Sequence, residues 1–64
     1  MRYYVLHLPT NGEPKVLKSL RGIKDLPPGS VLTAVERGSL TGKVLASLNV
    51  AIVNGKPDPN RRVP

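Results

Sequence analysis

Proline and glycine interrupt this chain so often that no regular element can run long. Breaker clusters at Pro9–Pro14, Pro27–Ser30, Gly38–Gly42 and from Asn54 onward divide the 64 residues into four segments. Proline fixes φ and removes a backbone donor, and glycine and proline together mark turns. Each segment is thus long enough for one strand or one short helix, and the fold must be assembled from short pieces. A domain of this size buries only about 60% of the surface its unfolded chain exposes. There is no cysteine, so neither a disulfide nor a thiolate metal site can supplement the core. Val, Leu and Ile must supply it, since the only aromatic residues are Tyr3 and Tyr4.

The first segment, Arg2 to Leu8, is rich in β-formers and stops at Pro9, which cannot continue a ladder, so it reads as a strand. The second, Lys15 to Leu26, fits two elements. Asn11-Gly12 between two apolar runs is a type I′ hairpin signal that makes Lys15 to Leu20 a second strand. Val16, Leu17, Leu20 and Ile23 also form the stripe of an amphipathic helix, with Pro14 suited to its first turn and Gly22 weakening it. Val31 to Arg37 is equally divided: Val31, Thr33 and Val35 alternate as in a strand, while Ser30 is a good N-cap and Gly38 a stop for a helix. In the fourth segment Ser39 or Thr41 caps a short helix through Val44, Leu45 and Leu48, and the β-branched run Val50 to Val53 follows as a buried strand.

The expected fold is therefore α+β: a small single-layer sheet of three or four strands with one or two short helices, small all-β being the alternative. Residues 1–55 are expected to form the compact domain. Residues 56–64, with three prolines and Arg61-Arg62, are expected to be an extended or disordered basic tail.

Leu26-Pro27-Pro28-Gly29-Ser30-Val31-Leu32, followed some way on by Val50-Ala51-Ile52-Val53-Asn54-Gly55-Lys56, resembles the middle of a β-grasp domain of the ubiquitin-like or TGS type. The resemblance covers about residues 26–57. It implies a hairpin leading into a helix that returns as a strand ending in an Asn-Gly turn, and a non-catalytic module that binds RNA or protein.

The inventory of reactive groups points away from catalysis. His7 is the sole histidine, and the carboxylates Glu13, Asp25, Glu36 and Asp58 each stand alone in their segments. General acid–base work needs a positioned group with partners, and a transition-metal site needs three or four ligands. No enzyme activity, metal or cofactor is expected. Gly38-Ser39-Leu40-Thr41-Gly42-Lys43 is too short for a phosphate-binding P-loop, although an anion on its backbone amides fits a helix N-terminus there.

What remains is charge. Ten Lys and Arg oppose four Asp and Glu, a net +6, which favours polyanionic partners. Lys15, Lys18, Arg21 and Lys24 recur every third residue, Arg37 and Lys43 flank the glycine loop, and Arg61 and Arg62 sit near the C-terminal end. Converging on one face, they would contact phosphates of a nucleic acid, with one of Tyr3 and Tyr4 exposed for base stacking. Docking on an acidic protein surface is the alternative. The longest nearly apolar stretch, Val44–Val53, is about half a membrane span, so the chain reads as a soluble, cytoplasmic binding module with no membrane partner. Oligomeric state stays open.

Overall fold

The computed structural model describes residues 1–10 and 12–63, the side chains of Pro59, Arg62 and Val63 being left aside. Five strands make one antiparallel sheet: β1 (Arg2–His7), β2 (Lys15–Leu17), β3 (Val31–Arg37), β4 (Val44–Val53) and β5 (Lys56–Val63), in the order β2-β1-β3-β4-β5. No helix occurs among the described residues. The chain is all-β, which corrects the α+β expectation.

The two helices fail for different physical reasons. In the second segment only Lys15–Leu17 is regular, pairing Leu17 with Tyr4 and Lys15 with Leu6. Gly22 then adopts φ 77° and Asp25 φ 56°, left-handed conformations that a helix cannot contain. In the fourth segment, a helix of five residues would have to be nucleated at a loss. The same residues instead pair with β3, Ala46 opposite Glu36, Leu48 opposite Ala34 and Val50 opposite Leu32. The helix implied after Leu26-Pro27-Pro28-Gly29 is likewise strand β3. Of the segment expected as a basic tail, Lys56–Val63 is β5, extended and paired with β4, and Pro64 lies outside the described residues.

The β4–β5 turn is the clearest case of local sequence acting through backbone preference. Val53 pairs with Lys56 across Asn54-Gly55, and both turn residues have positive φ, 54° and 77°, as a type I′ turn requires. The other Asn-Gly signal includes Asn11, which lies outside the described residues.

One sheet face carries Tyr4, Leu6, Leu17, Leu32, Ala34, Leu48, Val50 and Ile52, as the pairings dictate. Leu6, Leu32 and Val50 are buried there, with Leu8, Leu17, Leu20, Leu26 and Ile52 packed around them. Residues 18–30 have to pass from β2, at the sheet edge, across β1 to reach β3. On the way they lay Leu20 and Leu26 over the core. This crossing is tied down at its far end: the Leu26 N–H donates to the Gly55 carbonyl at 3.0 Å. The Ser30 hydroxyl donates to the Pro27 carbonyl at 2.7 Å. The opposite face presents Tyr3, Val5, His7, Thr33, Ser47 and Asn49, with Val35 buried among them.

Two irregularities break the ladder. The pairing shifts between Glu36 and Arg37, where Leu45 is the extra residue on β4. It shifts again between Val50, opposite Arg62, and Ala51, opposite Asp58, leaving residues 59–61 without partners on β4. Asp58 organises that bulge: its Oδ1 accepts from the Asn60 N–H at 3.0 Å, and its Oδ2 lies 3.8 Å from Arg61 Nε.

Candidate functional site

The crossing of residues 18–30 covers only part of the core face. At the Arg2 end of β1 the face stays open, forming a groove of about 230 Å³. Tyr4, Ala34, Ala46 and Leu48 make its floor, and Arg2 and Glu36 stand at its rim. The groove exists because of residue size. Where β3 and β4 carry Leu32 and Val50 the face is filled, and where they carry Ala34 and Ala46 it is not. Leu48 consequently stays 40% exposed. At the rim, Arg2 Nε donates to Glu36 Oε2 at 3.2 Å across the β1–β3 pair.

The basic residues named from sequence lie on several elements. Lys15 lies on β2, and Lys18, Arg21 and Lys24 lie on the crossing, all four exposed. Arg61 is on β5, at the other edge of the sheet, exposed and beside Asp58. Arg62 sits opposite Val50 on the same strand, and its side chain lies outside the described residues. Lys43 is exposed in the β3–β4 connection.

Arg37 differs from the rest. Its Nε donates to the Tyr3 hydroxyl at 2.7 Å and its Nη1 to the Gly42 carbonyl at 2.7 Å. The guanidinium also lies 5.9 Å from the Tyr3 ring centroid. It is a brace between β1 and the hairpin. That contact half-buries Tyr3, and Tyr4 is half-buried in the groove floor, so neither ring stands free as the base-stacking expectation required.

Three amides of the glycine loop are engaged within it. The Gly38 N–H donates to the Lys43 carbonyl and the Gly42 N–H to the Gly38 carbonyl, each at 2.9 Å. The Lys43 N–H points to Thr41 Oγ1 at 3.3 Å. β4 rather than a helix follows, so the helix N-terminus expected there is not formed.

His7 is exposed at the end of β1, on the face of Tyr3 and Val5, and no described hydrogen bond or ion pair uses its ring. Among the described residues no three His, Asp or Glu side chains come together as metal ligands. Among the described residues no helix is long and apolar enough to cross a membrane.

A helix through Val44, Leu45 and Leu48, as their spacing suggests, would leave no such groove. The groove's signal was present: the alternation of Ala46, Leu48 and Val50 with Ser47 and Asn49 has the two-residue period of a strand. No family model, curated protein or solved structure matches the chain.

Proposed function

We propose that this chain is a small non-enzymatic binding module that docks on an acidic protein surface. The supporting observation is how the charge is spread. Residues 13–25 hold four cations against two carboxylates. Arg2, Arg37 and Lys43 stand against Glu36, and Lys56, Arg61 and Arg62 against Asp58. Each region is positive, and together they span both sheet edges and the hairpin end. Glu36 and Asp58 are engaged by Arg2 and Arg61, whereas no described ion pair involves Lys15, Lys18, Arg21, Lys24, Lys43 or Lys56. Unpaired cations on several sides complement a negative protein surface and speed encounter with it.

Size argues against a small-molecule receptor, because the groove falls below the roughly 300–1,000 Å³ of ligand pockets. The test is affinity capture from a nuclease-treated native lysate, followed by elution in rising salt. A protein partner retained after nuclease and released by salt is the expected result. Loss of every partner on nuclease treatment contradicts it.

One observation favours a second reading, phosphate contacts to nucleic acid. Lys15, Lys18, Arg21 and Lys24 follow one another at three-residue intervals along β2 and the crossing, all exposed. That reading requires oligonucleotide binding at low salt whose affinity falls linearly in log–log form as salt rises.

A further inference from the structure

We infer that the open half of the core face is an anchor site for a large apolar side chain carried on an acidic segment of the partner. This rests on the acidic-protein reading and adds the site, the anchoring group and its surroundings. The chain's own structure supplies the precedent. On the covered half, Leu20 and Leu26 from a non-regular segment lie over Leu6, Leu32 and Val50. On the open half the same sheet face continues through Tyr4, Ala34, Ala46 and Leu48, and no segment among the described residues supplies the matching side chain. The alanines leave room for one. An irregular segment from another protein, delivering an aliphatic or aromatic side chain as the crossing delivers Leu20 and Leu26, completes the pattern.

Charge selects among occupants. A second copy would bring another +6 against the first, and so is disfavoured. A segment with Asp or Glu beside its apolar anchor meets Arg2, whose side chain is 66% exposed although it already touches Glu36. A guanidinium has five donors, enough to serve a second carboxylate. Nucleic acid fits the groove poorly, since its floor is mostly aliphatic and Tyr4 is half-buried.

The experiment pans a random peptide library against the full chain and follows the best peptide by amide NMR titration. Enriched peptides are expected to place Leu, Ile, Phe or Trp beside Asp or Glu, with the largest shifts at Tyr4, Ala34, Ala46 and Leu48. Replacing the peptide's anchor by Ser should cost affinity on the order of tenfold or more. Filling the groove with Ala46→Leu, or charging its floor with Leu48→Glu, should do the same. Both positions are exposed, and a thermal melt of each variant verifies that it is folded. Acidic peptides that bind equally well with Ser in place of the anchor, or that shift Lys15 to Lys24 instead, overturn the anchor site and leave the acidic-partner reading standing. No enrichment of acidic peptides removes both. Groove shifts produced by a single-stranded oligonucleotide, or self-association abolished by Ala46→Leu, also overturn the inference, in favour of nucleic acid or of a second copy.

Discussion

Arg37 and Tyr3 are joined twice, by a hydrogen bond from Nε to the phenol oxygen at 2.7 Å and by the cation lying 5.9 Å from the ring centroid. With Nη1 on the Gly42 carbonyl, one side chain fastens the β3–β4 hairpin to β1. A lysine cannot make two divergent hydrogen bonds from a planar fork. Arg37→Lys should therefore lower unfolding free energy by about 1–2 kcal/mol. Tyr3→Phe should lower it by about 0.5–1.5 kcal/mol, the net worth of one hydrogen bond. Urea denaturation of both variants and the double mutant measures the coupling between them. Were Arg37 a partner contact instead, Arg37→Lys would leave the urea midpoint in place and change only affinity.

Gly55 sets a second relationship, between the β4–β5 turn and the crossing of residues 18–30. Its φ is 77°, and a Cβ there would stand 3.2 Å from both Asp25 Cα and Leu26 N. Left-handed backbone costs a residue with a side chain about 1–2 kcal/mol before any clash. Gly55→Ala should destabilise by at least that much and loosen the crossing, seen as faster exchange of the Leu26 amide that now donates to the Gly55 carbonyl. Gly12→Ala is the control, because nothing lies within 4 Å of a Cβ there. Its effect should stay within about 0.5 kcal/mol. Equal losses at both positions would mean that docking of the turn onto Asp25 and Leu26 contributes nothing.

Much of the strand content could be read from the chain. Arg2 to Leu8 and Val50 to Val53 were identified by their β-branched and aromatic residues, and Asn54-Gly55 by its tolerance of positive φ. These are local signals. Lys15 to Leu26 was ambiguous because Val16, Leu17, Leu20 and Ile23 satisfy a helical period. The structure gives that spacing another meaning, Val16 pointing outward at 67% exposure while Leu17 and Leu20 pack inward from a strand and a loop. Val44, Leu45 and Leu48 deceived for a related reason, since the extra residue at Leu45 shifts the two-residue alternation by one. β5 could not be foreseen from composition: Pro57 and Pro59 suit an extended or disordered tail, and only the tight turn at Asn54-Gly55 returns the segment alongside β4. The charges could be counted from the chain, and the strands that carry them could not be placed, because strand order is a long-range property.

Leu32 is 1% exposed and lies at the centre of the core with Leu6 and Val50. A domain of this length has a total stability of about 3–10 kcal/mol. Leu32→Ala should cost about 2–5 kcal/mol through lost transfer energy and the cavity left behind, a large share of that total. The variant is expected to melt far below the parent, or to be unfolded at room temperature by NMR dispersion. Leu40→Ala, at a position 98% exposed, should leave the melting curve unchanged. A parent-like melt for Leu32→Ala would show that the three-residue cluster is not what holds the sheet together.

β5 ends the sheet, and its prolines give that edge a protective role. In a two-residue hairpin the residues flanking the turn form a hydrogen-bonded pair, so the backbone of Lys56 faces β4 and that of Pro57 faces outward. Pro59 is the next residue in that alternation and stands where the pairing with β4 breaks. Outward N–H groups are what an added strand would use, and a proline has none to offer. Replacing both by valine, Pro57→Val with Pro59→Val, restores two donors and raises β-propensity at an open edge. The double variant should retain a β-type circular dichroism spectrum yet associate as concentration rises in sedimentation velocity. The parent should associate less at every concentration. Identical sedimentation of the two proteins would assign edge protection to Lys56 and Arg61 instead, and adding salt to the double variant would then induce the association that the prolines were credited with preventing.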